Sequence, residues 1–312
     1  AYDASAQKVV VIWTNFSNSN YGTASVGTVS GTSISFGNQA TFESGNTTAQ
    51  KIVYDASAQK VLIAYKDDGD SDKGKCIVGT VSGTSISFGS IVVFDDSDLE
   101  LRGITLAYDT NASKTVLSYI ETGTSPNSGK NVPVTISGTT PSLGTATNFS
   151  TYDMQHIGSV YDPDQKKVVV VFADHGGTDT YHGTAKVFQN ATDETNITSE
   201  NYVGMSRGAV LGEPAATGTA VSFESGTTTL ARAAFDSSNN KVVIVYQDAG
   251  DSDKGKVVVG TVSGTSISFG SVVTFNSGGT ADIDCAFDSS NNKIVIVYSD
   301  VGNSSHGTAI VG

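Results

Sequence analysis

The chain alternates apolar and polar residues in short stretches that end at an aromatic residue followed by Asp. In GITLAYD, residues 103–109, apolar side chains fall at alternate positions back from Tyr108. A polar turn follows, and then a run such as KVVIVY at 241–246, in which successive residues are apolar. Alternation predicts a strand buried on one face, and the β-branched run predicts a strand buried on both faces. Because no stretch has a 3.6-residue period, we expect almost no helix.

This pattern recurs six times in 312 residues. Successive aromatic-Asp pairs are 52, 54, 53, 74 and 52 residues apart, and a Lys always follows six residues after the aromatic. The string VGTVSGTSISFG appears unchanged at 26–37, 78–89 and 259–270. Self-similarity at a fixed period is the mark of a repeat architecture. The six pairs are Tyr2-Asp3, Tyr54-Asp55, Tyr108-Asp109, Tyr161-Asp162, Phe235-Asp236 and Phe287-Asp288.

Each repeat is predicted to form four short strands joined by polar turns. Four strands in such a unit, repeated six times, predict an all-β fold: a six-bladed β-propeller of four-stranded antiparallel blades, forming one domain over residues 1–312. A β-solenoid is the alternative, although its coils are usually much shorter. The units span about 1–48, 49–101, 102–154, 155–228, 229–280 and 281–312.

Two units depart from the common length. The sixth stops at Gly312, directly after its third strand, so its blade lacks the outer strand unless residues outside this chain complete it. We therefore expect the chain to be part of a longer polypeptide. The fourth unit has an insertion at about 189–213, which contains few apolar residues and is predicted to be a surface excursion. A tolerated insertion and a functional loop both stay open for it.

Charge and composition narrow the class of partner. The net charge is −13, and the 18 Lys and Arg residues do not cluster, so nucleic acid is not an expected partner. No apolar run reaches the roughly 18 residues of a membrane-spanning helix, so no membrane insertion is expected. An acidic surface rich in Ser, Thr, Asn and Gly favours an extracellular or virion-surface location. Cys76 and Cys285 lie in apolar runs and are predicted to be buried free thiols rather than a disulfide.

Residues that recur in every unit are predicted to be structural, because a catalytic site needs a unique set of groups. The Asp of each pair can accept backbone N–H bonds in the turn that follows it. The second aromatic of each unit is predicted to pack between blades, and an exposed ladder for sugar stacking is the alternative. These second aromatics are Trp13, Tyr65, Tyr119, Phe172, Tyr246 and Tyr298.

The hairpins after the second strands are acidic. Asp68, Asp70 and Asp72 have the 1, 3, 5 spacing from which a calcium loop draws oxygen ligands, and Asp251 and Asp253 repeat part of it. The glycine expected at the sixth position of such a loop is Lys73, and no acidic residue stands at the twelfth. A solvated acidic hairpin without a cofactor is the preferred interpretation, and calcium is the alternative.

The best candidate for a ligand site is the mouth of the central channel. There the first strands begin, and the otherwise similar units differ most, as one shared site on the axis would require. Relaxed selection in a solvent-filled channel would leave the same variation. The varied residues are Lys51, Thr105, His156, Arg232, Asp282 and Asp284.

No enzyme is expected. The chain has no GxSxG motif and no phosphate-binding glycine loop, and its histidines lack metal-ligand spacing. A carbohydrate-active enzyme of the glycoside hydrolase kind is the alternative, because acidic residues are plentiful and two of them could converge.

The repeat itself resembles a known type. The aromatic-Asp strand, the following KVVV strand and the VGTVSGTSISFG hairpin are similar to propeller repeats of large, tail-fibre-like structural proteins of marine tailed phages and related bacteria. The insertion string NITSENYVGMSRGAV at 196–210 is similar to a spacer that accompanies these repeats. The resemblance implies a non-enzymatic structural or attachment module of a virion or cell-surface protein. Its partners would be surface glycans or neighbouring structural subunits.

Overall fold

The computed structural model describes residues 1–122, 126–150, 152–175, 181–192 and 214–312, without the side chain of Arg102. These residues form an all-β fold, as predicted. The only helical elements among them are two single 3₁₀ turns, Ala249–Asp251 and Val301–Asn303. Within the same ranges, no helix is long and apolar enough to cross a membrane. Residues 193–213, most of the predicted insertion, lie outside the described part, and β17 below ends where the insertion was predicted to begin.

The strands follow the six units of the sequence. The first two units contain β1 (Tyr2–Asp3), β2 (Lys8–Asn15), β3 (Tyr21–Ser30), β4 (Ser33–Phe36), β5 (Ala40–Asp55), β6 (Lys60–Asp67), β7 (Lys73–Ser82), β8 (Ser85–Phe88) and β9 (Val92–Asp95). The third contains β10 (Leu99–Asp109), β11 (Lys114–Glu121), β12 (Ser128–Ser137), β13 (Thr140–Leu143) and β14 (Thr147–Ser150).

The last three units continue the same order. The fourth contains β15 (Met154–Asp162), β16 (Lys167–Asp174), β17 (His182–Gln189) and β18 (Ala216–Thr217), and β19 (Val221–Asp236) leads into the fifth. The fifth contains β20 (Lys241–Asp248), β21 (Lys254–Ser263) and β22 (Ser266–Phe269), and β23 (Val273–Asp288) leads into the sixth, which adds β24 (Lys293–Asp300) and β25 (His306–Val311).

Among the described residues all pairing is antiparallel, in three sheets of nine, five and eleven strands, none of which closes on itself. In each unit the first, second and third strands form a meander. In the first five units the third strand also pairs with two further strands along its outer edge. In the first unit, β4 pairs with the distal half of β3 (Gly27 opposite Phe36), and β5 pairs with the proximal half (Gly22 opposite Glu43).

The fourth strand differs from the prediction in two ways. The stretch expected to form one strand is split in two at a glycine. In the first unit this is Gly37, which lies so close to the backbone of Thr84 in the next unit that a side chain there would collide with it. The second piece then runs without a turn into the first strand of the next unit, which makes β5, β19 and β23 16 residues long. The predicted unit boundaries at 48/49, 228/229 and 280/281 therefore fall inside these long strands, and those at 101/102 and 154/155 fall inside β10 and β15.

The core consists of five apolar clusters, and each lies between two consecutive units. The cluster between the first and second units, for example, joins Val10 and Val26 to Ile63 and Tyr65. The other four clusters join the second unit to the third, the third to the fourth, the fourth to the fifth and the fifth to the sixth. This arrangement explains why the second strands are apolar on both faces: each face packs on a different neighbour. The prediction that the second-strand aromatics pack between units is confirmed for Tyr65, Tyr119, Phe172, Tyr246 and Tyr298. It is wrong for Trp13, which is half-buried and lies in none of the clusters, because no described unit packs on that face of the first unit.

The Asp of each aromatic-Asp pair stabilises the turn after it. Asp55 is buried, and its Oδ1 accepts hydrogen bonds from the backbone N–H groups of Ser57 and Ala58, both at 3.0 Å. The same pair of bonds occurs at all six positions: Asp3, Asp55, Asp109, Asp162, Asp236 and Asp288. The structural role predicted for this residue is confirmed.

Candidate functional site

Each complete first strand contains a β-bulge a few residues before its aromatic-Asp pair. Against its second strand, the register of β5 shifts between Thr48 and Lys51, and that of β10, β15, β19 and β23 shifts at the corresponding place. A bulge bends the strand and redirects its side chains. In four units the bulged residue has a positive φ: Ala49 (53°), His156 (49°), Leu230 (53°) and Asp282 (49°). Non-glycine residues adopt this conformation at an energetic cost, so the packing of the first strands must hold it in place.

Four of these five bulged regions, all except that of β15, converge on one cavity of about 160 Å³. Residues of the second, third, fifth and sixth units line it, although these units are far apart in the chain. Its wall combines apolar and charged side chains, among them Ala49, Lys51, Ile104, Leu230, Arg232 and Asp282. The structure thus brings together three of the residues predicted for the channel mouth, Lys51, Arg232 and Asp282.

The cavity contains two half-buried cations. Burial lowers the pKa of the Lys51 ammonium, the positive charge of Arg232 lowers it further, and Asp284 acts in the opposite direction. The Arg232 guanidinium donates hydrogen bonds to the carbonyl oxygens of Ala231 at 2.9 Å and Ile157 at 3.5 Å. Arg232 is therefore anchored to the fourth unit. Charged residues of the fifth and sixth units thus act on a lysine of the second.

His156 and Thr105 lie outside this cavity. His156 is buried on β15, next to the Ile157 carbonyl that Arg232 contacts. The Thr105 hydroxyl lies 2.9 Å from that of Ser159, so it joins the third and fourth units. The predicted channel residues thus divide into a cavity group on the second, fifth and sixth units, namely Lys51, Arg232, Asp282 and Asp284, and two buried side chains outside the cavity.

Lysine side chains form ion pairs with the aspartates of the acidic hairpins. Lys75 Nζ lies 2.6 Å from Asp67 Oδ2 and 2.9 Å from Asp70 Oδ2, and Lys73 Nζ lies 3.0 Å from the other Asp70 oxygen. Asp68 accepts a bond from Thr48, and Asp72 pairs with Lys66 at 3.2 Å.

The fifth unit repeats this pattern. Lys254 and Lys256 pair with Asp251, and Asp253 is exposed. Within the described ranges, no group of three His, Cys, Asp or Glu side chains is arranged to hold a metal ion. Calcium stays an untested prediction for these hairpins.

Both cysteines are free, as predicted, and Cys285 is half-buried rather than buried. Burial raises the pKa of each thiol to about 12, and at Cys285 the nearby Asp284 acts in the same direction. Since the thiolate is the nucleophilic form, both groups are unreactive near neutral pH.

A second concave region was not predicted from the sequence. It lies between the third and fourth units and is lined by Tyr152, Asp174 and Lys186, with a volume of about 360 Å³. Burial raises the pKa of Asp174 and lowers that of Lys186. Lys186 Nζ donates to the Phe149 carbonyl at 2.7 Å, and Asp174 accepts from Thr184 at 3.2 Å. The Lys186 bond joins the fourth unit to the third, whereas the Asp174 bond lies within the fourth unit. The only feature of the sequence that could have indicated this region is Lys186, a lysine within the otherwise mostly apolar third strand of the fourth unit.

No protein-family model matches this chain, and a search of curated proteins finds no match either. The functional proposal therefore rests on the cavity and on the differences among the six units.

Proposed function

We propose that the chain is a six-bladed β-propeller whose first strands surround a central axis, and that it is a non-enzymatic binding module. Two observations support the ring. Apolar clusters join each unit to the next, so the units form a continuous series. First strands of the second and sixth units also line the same cavity, and a linear stack of units would hold them far apart.

The ligand proposed for the axial cavity is a carboxylate-bearing sugar of a surface glycan. The observation that carries this proposal is the pairing of two half-buried cations, Lys51 and Arg232, with an apolar wall that includes Leu230 and Ile104. Cations in a partly desolvated site favour an anionic group, and a guanidinium suits a carboxylate in particular. The exposed carboxylate of Asp282 can accept hydrogen bonds from sugar hydroxyls.

The resemblance of the repeats to those of tail-fibre-like proteins fits an attachment role. In this proposal the chain is a module of a larger virion or cell-surface protein and acts outside the cell. The carboxylates that recur in every unit stabilise turns, and both thiols are protonated near neutral pH. These groups therefore have structural roles, and binding without turnover is the activity that we propose.

A glycan array tests this proposal. The purified chain is applied to neutral sugars and to sialylated or uronic-acid glycans, and the glycans are analysed afterwards by mass spectrometry. We expect binding to the acidic glycans, its loss in Lys51→Gln and Arg232→Gln, and its retention in Lys293→Gln, which removes an exposed lysine of the sixth unit. Turnover of a glycan would contradict the non-enzymatic assignment. Binding that survives both axial substitutions, or no binding at all, would contradict the axial glycan site.

A further inference from the structure

One phenylalanine is the principal contact at each junction between consecutive units. The ring of Phe42, on the fourth strand of the first unit, lies over Gly22 of the third strand, and a side-chain carbon added to Gly22 would be only 2.4 Å from it. The same ring packs on Tyr65 of the second unit with a centroid distance of 5.3 Å. Glycine is required here because the ring occupies the space that any side chain would need.

All five junctions are built in this way. The ring centroids are 5.0–5.4 Å apart, and the added carbon at each glycine would lie 2.4–2.6 Å from the ring. The sets of glycine, phenylalanine and second-strand aromatic are Gly22, Phe42 and Tyr65; Gly74, Phe94 and Tyr119; Gly129, Phe149 and Phe172; Gly183, Phe223 and Tyr246; Gly255, Phe275 and Tyr298.

The sixth unit has the same glycine without the ring. Gly307 is the residue of β25 that corresponds to Gly22, and no atom of the described residues lies within 4 Å of the position that its side chain would take. We call this open space the Gly307 notch. It belongs to a groove of about 490 Å³ that Val297 and Ala309 also line. The edge of β25 is open as well, since in the described part of the chain β25 pairs only with β24.

The first unit presents the complementary aromatic surface. Trp13 corresponds to Tyr65, yet it is half-buried, whereas its five equivalents are buried. Val11 on the same face is 38% exposed, and its five equivalents are at most 4% exposed. Trp13 and Val11 line a groove of about 330 Å³ on this face. Both sides of an aromatic junction are therefore present, Gly307 on one unit and Trp13 on the other.

We propose that β25 and the Trp13 face form an acceptor site for one additional strand, of the same sequence type as this chain's own fourth strands. The five internal junctions identify the occupant. At three of them the fourth strand has the form apolar or small residue, Thr or Ser, Phe, acidic residue or Asn, Ser, Gly: ATFESG at 40–45, VSFESG at 221–226 and VTFNSG at 273–278. The other two, VVFDDS at 92–97 and TNFSTY at 147–152, share the phenylalanine. Pairing through the β25 edge supplies affinity, and the phenylalanine supplies specificity.

The register of the added strand follows from the fifth unit. There Asn276 pairs with Gly255, Thr274 with Lys256 and Val273 with Val257, and Phe275 falls in the bulge between the first two pairs. By equivalence, the Asn of the added strand would face Gly307, the Thr would face Thr308 and the Val would face Ala309. Its phenylalanine would then enter the notch. A second copy of the chain pairing edge to edge through β25 would bring no ring to this place.

Trp13 allows a direct test, because it is the only tryptophan in the chain. The probe is a synthetic peptide, VVTFNSGG, with the sequence of residues 272–279, added to the full chain while tryptophan emission is recorded. We expect a saturable shift of the emission to shorter wavelength, since a ring packed on Trp13 removes water from the indole. The same peptide with Ala in place of Phe should give no shift.

Two variants distinguish specific binding in the Gly307 notch from non-specific strand pairing along the β25 edge. Gly307→Val fills the notch and should weaken peptide binding by at least about tenfold, because the ring has no other space to occupy. Gly312→Val adds the same side chain to the sixth unit at a position that is equally open but outside the predicted register, and it should bind as the parent does. Circular dichroism and thermal melting establish that both variants are folded.

Three results would overturn the proposal. A scrambled peptide that shifts the emission equally would show non-specific edge pairing. Unchanged binding by Gly307→Val would show that the notch is not used. A shift that depends only on protein concentration, with sedimentation showing dimers, would assign the edge to a second copy. The acceptor site rests on the proposed ring, which brings the sixth unit beside the first. Because the readout is at Trp13, loss of axial glycan binding alone would leave it unchanged, so the two binding sites can fail independently.

Discussion

The Tyr65 hydroxyl of the second unit donates a hydrogen bond of 2.9 Å to Glu43 Oε2 on the fourth strand of the first unit. Tyr246 and Glu224 repeat this bond at 3.0 Å between the fourth and fifth units. A polar bond thus reinforces the aromatic contact at these two junctions. The sixth-unit equivalent, Tyr298, faces a fourth strand in which Asn276 takes the place of Glu43.

Removal of this hydroxyl is expected to weaken the junction. Tyr65→Phe should lower the free energy of unfolding by about 1–2 kcal/mol, because it leaves a half-buried carboxylate without one of its donors. Tyr298→Phe is the matched control and should change stability much less. Urea unfolding of the two variants measures the difference. Equal losses in both would contradict the role given to Glu43.

Stability should fall at alkaline pH. Burial raises the pKa of the Tyr65 and Tyr246 hydroxyls, with Glu43 and Glu224 acting in the same direction, and burial raises the pKa of the Cys76 thiol to about 12. A group with a raised pKa in the folded state stabilises fully below its unfolded pKa, and this contribution is lost as pH rises above that value. The loss begins near pH 9 for the thiol and pH 10 for the hydroxyls.

Each such group contributes about 1.4 kcal/mol per pH unit within its range. Urea unfolding between pH 8 and pH 11 measures the slope. Tyr65→Phe removes one titrating group and should give a shallower slope than the parent. A flat profile up to pH 11 would contradict the burial of these hydroxyls and thiols.

The ion pairs of the acidic hairpins should make calcium unnecessary. Lys75→Met leaves the buried Asp67 carboxylate without its cation and should cost about 2 kcal/mol. Lys73→Met removes a lysine whose partner, Asp70, is exposed, and should have little effect. Thermal melting with calcium and with a chelator should give the same midpoint for the parent chain. A midpoint that rises with calcium would support the calcium alternative for Asp68, Asp70 and Asp72.

The charged Lys51 side chain is expected to lower the free energy of unfolding, although it is required for ligand binding. Its pKa is lowered in the folded state, so the folded chain holds this proton less tightly than the unfolded chain. For such a group stability increases as pH rises through the folded pKa towards the unfolded value. Lys51→Met should therefore be at least as stable as the parent at pH 7 and should not bind acidic glycans. Clear destabilisation by this substitution would show that the ammonium is part of the structural framework.

The local pattern was sufficient to predict some features and not others. The alternation before Tyr108 and the apolar run at 241–246 predicted strands because the side chains themselves report which faces are buried. The continuity of β5 could not be predicted, since ESGNTTAQ at 43–50 has few apolar residues and resembles a turn. Its extended form depends on pairing with two different units, and that information lies elsewhere in the chain.

The site shows the same limit. Variation among repeats was enough to select Lys51, Arg232 and Asp282, because their positions differ while the surrounding strand pattern is kept. It could not separate these residues from His156 and Thr105. Bulges of one or two residues decide which side chains face the cavity. The bulges at Ala49 and Leu230 could not be predicted, because neither position is a glycine, the residue that usually indicates a positive φ.

The central claim is that the six units surround one axis, and zero-length cross-linking tests it directly. A carbodiimide joins a lysine amine to a carboxylate only when the two groups are in contact or nearly so. We predict an intramolecular cross-link from Lys51 of the second unit to Asp284 or Asp282 of the sixth, identified by mass spectrometry of the monomer. Lys51→Arg keeps the charge and should abolish it. If instead Lys51 of the parent monomer cross-links only within its own and adjacent units, the units form an open stack and the ring is wrong.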